Sequence, residues 1–169
     1  MHHLRFLAVF MACLAICMGA RAQAPKGSQT APTCESIGRA IVAAHGPIGP
    51  VEDRTEQSQK LAAEGTLPYT ILRMCVVTIP GQRLPVRVGI HGASHQFFMK
   101  MMSQMAAVRG HGIRKLDGAA YGDLAYLLPQ DAGGYSIDAV VGDMGLNMAY
   151  MPNDQDIENM AAHVIKLMR

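Results

Sequence analysis

The chain has 169 residues, long enough for one domain with a substantial core. Half of it is hydrophobic, 17% is charged, and the formal net charge is +2 at pH 7. With no tryptophan, no basic block and no aromatic ladder, it lacks the electrostatic footprint of a nucleic-acid-binding protein, and no nucleic-acid partner is expected.

Residues 1–22 read as a secretory signal peptide. His2, His3 and Arg5 make a polar, positive start, 6–18 is apolar, and Ala20-Arg21-Ala22 offers the small-x-small site a signal peptidase seats. A second site, Ala22-Gln23-Ala24, follows directly. The apolar run is shorter than the ~20 residues a membrane-spanning helix needs. Lipid attachment needs a small residue before the modified cysteine. Cys17 follows the bulky Ile16, and Cys13 follows Ala12 but only after a very short apolar run. The membrane is therefore a partner only during export, unless the chain is lipidated. Loss of Arg5 and Arg21 with the leader leaves basic and acidic residues equal in number, so the mature protein is formally neutral and expected to be periplasmic or secreted. Residues 23–33, rich in Pro, Gly, Ser and Thr, read as a disordered lead.

Cys13 and Cys17 depart with the leader, and Cys34 and Cys75 remain. Two cysteines in an oxidising compartment allow one intrachain pairing, so a Cys34–Cys75 disulfide is expected. Closing a loop of some forty residues stabilises a fold by about 4 kcal/mol in the chain-entropy treatment.

Residues 34–169 read as a single α+β domain. A short amphipathic helix over 35–45 carries Ile37, Ala40, Ile41 and Ala44 on one face, and Gly46-Pro47-Ile48-Gly49-Pro50 ends it. A polar helix is expected over 52–64. The stretch 70–79 alternates, with Ile71, Arg73, Cys75, Val77 and Ile79 in phase; 84–90 returns as a second strand carrying Val86, Val88 and Ile90. Ser94 is a good N-cap for a helix over 94–109, and Gly110 a good stop. Strands are expected over 124–128, 135–141 and 146–151. Asn153 or Asp154 then caps a last helix whose stripe is Ile157, Met160, Ala161, Val164, Ile165 and Met168. Short links make the strand pairs antiparallel. The expected fold is a two-layer sandwich, an antiparallel sheet of about five strands covered by helices.

This layout resembles a family of small secreted lipoprotein domains of unknown function from actinobacteria. The resemblance is carried by Cys34 before the first helix and Cys75 in the first core strand. A glycine-rich step at Gly118-Ala119-Ala120-Tyr121-Gly122-Asp123-Leu124-Ala125, similar to that family's GxGDxA, and the Gly142-Asp143 turn complete it. It implies an exported, non-catalytic domain and supplies neither ligand nor catalytic residues; that family's lipid-attachment sequence has no counterpart here.

Three constellations carry chemistry. His95, Met99, Met102 and Met105 recur at helical steps, and thioethers with an imidazole select Cu(I). The bland reading is a core stripe of Phe98, Met101, Met102, Met105 and Ala106, and it is the one adopted. A zinc set would need His91, His95 and His111, which simple helical spacing does not align. A hydrolase would use Ser94 with His91 or His95 and Asp117 or Asp123, but no GxSxG elbow surrounds Ser94. Asp123 and Asp143 each follow a glycine, where an aspartate bonds its own backbone in a turn. Arg73 and Arg87 stand within strands and are the candidates for an anion- or partner-binding patch. The expectation is therefore an exported binding or structural module, without catalytic activity or cofactor, whose partner is a protein or another cell-envelope component. A copper-handling protein and a small secreted hydrolase are the alternatives.

Overall fold

A computed structural model describes residues 30–65, 67, 69–109, 112–131 and 133–169. The leader, residues 23–29 of the lead, Gly110 and His111 lie outside the described residues. In chain order the elements are α1 (Cys34–His45), β1 (Val51–Asp53), α2 (Thr55–Ala63), β2 (Thr70–Val77), β3 (Val86–Gly92) and α3 (His95–Arg109). There follow β4 (Arg114–Leu116), a 3₁₀ turn (Ala119–Tyr121), β5 (Leu124–Pro129), β6 (Tyr135–Val141), β7 (Met144–Met151) and α4 (Asp154–Leu167).

The fold is α+β, with helices packed on an antiparallel sheet, but the sheet has seven strands in the order β1-β2-β3-β7-β6-β5-β4 rather than about five. The additional strands are the two edges. Val51–Asp53 is short and mostly exposed, and its last two residues fall in the stretch 52–64 expected to be helical; it is extended because it pairs with Cys75, Val76 and Val77 of β2. Arg114–Leu116 offers one buried residue, Leu116, and is extended because it pairs with β5. Neither has the length or alternation that marks a strand locally, so long-range pairing decides both.

One face of the sheet carries the main core. Val77, Val88, Ile90, Ile137 and Met148 are fully buried there beneath Ile37 and Ile41 of α1 and Ile157, Met160, Val164 and Ile165 of α4. Burying an aliphatic side chain of this size is worth about 1.5–3 kcal/mol. Thr33 caps α1, its Oγ1 accepting from the Ser36 amide at 3.2 Å, and Asn153 caps α4, its Oδ1 accepting from Gln155 at 2.8 Å. Cys34 and Cys75 form a disulfide with Cα atoms 5.6 Å apart, which fastens the start of α1 to β2. At the other edge Glu158 of α4 is buried and accepts from the Arg114 guanidinium of β4 and, at 3.3 Å, from the Tyr121 hydroxyl.

The opposite face is only partly covered. Phe98 and Met102 of α3 are buried against Val140, above Gly145. A side chain at Gly145 would begin 2.6 Å from the Phe98 ring, so the glycine is what lets α3 approach. Among the described residues, no helix is long and apolar enough to cross a membrane.

Candidate functional site: a groove on the partly covered sheet face

Strand register builds this site row by row. Met74, Gly89, Asn147 and Asp138 are cross-strand neighbours across β2, β3, β7 and β6. On one side lies the row Val76, Arg87, Ala149 and Ser136; on the other, His91, Gly145 and Val140. Because side chains alternate between faces, all of these point away from the main core. Gly89, Gly145 and Ala149 contribute almost no bulk, and α3 stands over one end. The result is a groove of about 410 Å³ in the size range of ligand sites.

Its floor is polar. Asn147 Nδ2 donates to Asp138 Oδ1 at 2.6 Å, and Gln130 Nε2 to Ser136 Oγ at 2.5 Å. The His91 ring meets Tyr69 edge-on, with centroids 4.8 Å apart. Its Nδ1 is buried without a hydrogen-bond partner, and burial holds the imidazole below its ordinary value of 6.5. The ring and the half-buried Met74 both lean over Gly89. The point where a Gly89 side chain would begin is 3.1 Å from His91 Nε2 and 3.2 Å from Met74 Cε. At the open end the Arg87 guanidinium lies 5.8 Å from the centre of the Tyr150 ring. Tyr150 has φ 76°, an uncommon conformation for a non-glycine residue. It is the extra residue of a bulge, since Ser136 pairs with Ala149 and Tyr135 with Met151.

The expected site residues are scattered. Arg87 lines the groove, but Arg73 does not: its Nε donates to Pro32 O at 3.2 Å and its Nη1 pairs with Asp53 Oδ2 at 3.0 Å, clamping the approach to α1 and β1. Hydrogen bonds from Thr55 and the charge of Arg73 together hold Asp53 below the usual carboxylate value, against a burial effect of opposite sign. His95 sits at the β6–β7 turn, its Nδ1 2.9 Å from Gly142 O and 3.7 Å from Asp123 Oδ2. Met99 is half-buried and Met102 is core, while the side chain of Met105 lies outside the described residues. Ser94 is engaged as the helix cap, accepting from Phe97 N at 3.2 Å. Among the described residues no three His, Cys, Asp or Glu side chains are placed to hold a metal ion.

The two glycine–aspartate steps reach further than a local turn. Asp123 Oδ2 accepts from Gly142 N at 2.8 Å, and Asp143 Oδ1 from His95 N at 3.1 Å. Together they join the start of β5, the β6–β7 turn and the start of α3. Gly122 permits this: it has φ 84°, and any side chain there would begin 2.3 Å from Val140 O.

Met74, Asn147, Asp138 and Gln130 escaped the sequence reading. A signal was available, because Ser136 and Asp138 recur at period two inside an otherwise apolar strand. Fold and groove together define an α+β domain with a mixed polar and thioether cleft. No protein-family model, curated protein or solved structure matches the chain significantly.

Proposed function

We propose that the chain is an exported binding module, periplasmic or secreted, that receives a cell-envelope component in the groove beneath α3. The observation that carries this reading is the polar row set into the second sheet face, left open by Gly89 and Ala149, beside an imidazole with one nitrogen buried and unpaired. Buried polar groups are ordinarily satisfied, so such a group beside a concavity supports a binding role. Export is supported by the leader pattern of 1–22 and by the Cys34–Cys75 disulfide, a bond that persists in oxidising compartments. The resemblance to secreted actinobacterial domains points the same way.

Methionine-methyl NMR tests it. Addition of a soluble extract of the native cell envelope is expected to shift the methyls of Met74 and Met101, which line the groove, and to leave those of Met148 and Met160 unmoved. Shifts confined to other surfaces, or none at any extract concentration, would refute the reading.

A further inference from the structure

We infer that the groove receives the carboxyl end of a short peptide, with its terminal carboxylate on Arg87 and an apolar side chain three residues earlier against Met101 at the α3 end. This names a ligand class for the site of the preceding reading and rests on it in taking the groove as the binding site; it does not need the peptide to come from the cell envelope. The first observation is an uncommitted charge. Arg39, Arg54, Arg73 and Arg114 each pair with a carboxylate, whereas Arg87, exposed and lining the groove, has no carboxylate partner among the described residues. Its guanidinium lies instead 5.8 Å from the centre of the Tyr150 ring, which leaves its N–H fork free to grip a carboxylate with two bonds. The second is the backbone beside it. Tyr150 reaches this position from a bulge with φ 76°, a conformation that is costly for a non-glycine residue and that clusters at ligand clamps.

The third observation is the order of the rows, which grades the groove from charged to polar to apolar. Arg87, Ala149 and Ser136 stand at the open end, Gly89, Asn147 and Asp138 in the middle, and His91, Gly145 and Val140 at the end that Phe98 and Met102 of α3 cover. Arg87 and His91 are four positions apart on β3, a span of about 13 Å. That is the length of about four residues of extended peptide. Asn147 gives one N–H to Asp138, and its Oδ1 and other N–H are left for the main chain of a ligand. An alkyl carboxylate would also satisfy Arg87, but its methylenes would strip water from Asn147 and Asp138 without returning a hydrogen bond. At the far end half-buried Met101 offers an adaptable thioether surface to an apolar side chain. Burial lowers the His91 imidazole there, which keeps that end uncharged at neutral pH.

The test is a titration of the disulfide-intact protein, followed by methionine-methyl NMR, with an N-acetylated tetrapeptide of leucine followed by three alanines. The free acid, its carboxamide and decanoate are compared. The acid should shift the methyls of Met74 and Met101 but not Met148, and should bind about tenfold more tightly than the carboxamide. Arg87→Gln should abolish that difference and leave carboxamide binding as it was, while Arg83→Gln, at an exposed position outside the groove, should change neither. Decanoate should bind more weakly than the acid peptide. Melting temperatures establish that the variants fold; if Arg87→Gln melts early, the comparison of acid with carboxamide on the unsubstituted protein decides. Equal affinity for acid and carboxamide, a preference that survives in folded Arg87→Gln, methyl shifts elsewhere, or decanoate binding as tightly as the peptide would overturn the inference. If envelope extract moves the groove methyls but the acid peptide does not, the peptide inference falls and the binding module stands. If the peptide moves them and extract does not, the reverse holds.

Discussion

His91 is the residue at which packing and protonation are most directly linked. Desolvation lowers its imidazole, so the folded protein takes up a proton less readily than the unfolded chain. The sign follows: the stability this group contributes is intact above 6.5 and is lost as pH falls from there through the lower folded value. Thermal melting between pH 7 and pH 5 should therefore fall more steeply in the unsubstituted protein than in His91→Phe, which keeps the edge contact with Tyr69 and cannot titrate. Parallel curves would show that His91 is not the responsible group. Glu158 offers a second residue-scale test. It is buried and accepts from Arg114 and Tyr121, and hydrogen bonds to charged groups contribute about 1.5–3 kcal/mol. Arg114 is half exposed, which brings the expectation for Glu158→Ala to the lower end, about 1.5 kcal/mol by urea unfolding. Neither role was legible in the sequence, because His91 reads as a strand end and Glu158 as the polar face of a helix. Their environments come from partners at large sequence separation, with Glu158 and Arg114 lying 44 residues apart.

At the scale of elements, legibility follows the strength of the local pattern. The five longer strands stand out as alternating or apolar runs bounded by turn residues, and the disulfide follows from cysteine arithmetic; both are present in the structure. The two edge strands do not alternate and went unseen. The helix over 95–109 was legible as a helix, but its apolar stripe could not say which sheet face it would cover. That is decided by Gly145, whose missing side chain makes room for Phe98. Gly145→Ala should force the ring to move and cost about 1–3 kcal/mol, the usual range for overpacking. Hydrogen exchange should quicken in α3 while α1 and α4 stay protected. Uniform loosening of all three helices would instead mean that α3 is integral to the main core.

On the scale of the whole molecule, the disulfide spans 41 residues and joins the first helix to the core sheet. Its removal in the Cys34→Ser, Cys75→Ser double variant should cost about 2–4 kcal/mol in denaturant unfolding, and a reducing agent should produce the same shift in the unsubstituted protein. Unchanged midpoints would mean that the packing of α1 on α4 suffices to hold that corner. The export reading has its own mass-spectrometric test. Protein recovered from the envelope should begin at Gln23 or Pro25 and lack free thiols, and an intact amino terminus with alkylatable Cys34 and Cys75 would contradict it.

The strand order has a consequence for biogenesis. β7 is the last strand in the chain, yet it occupies the middle of the sheet, between β3 and β6. A polypeptide crossing a membrane amino end first would deliver six strands before the one that joins them, leaving two half-sheets with bare inner edges. Folding would have to wait for residues 144–151, which favours slow, non-local assembly and protection by a holdase until the seam closes. A chain cut after Val141 should accordingly precipitate, whereas one lacking only β1 should stay dispersed.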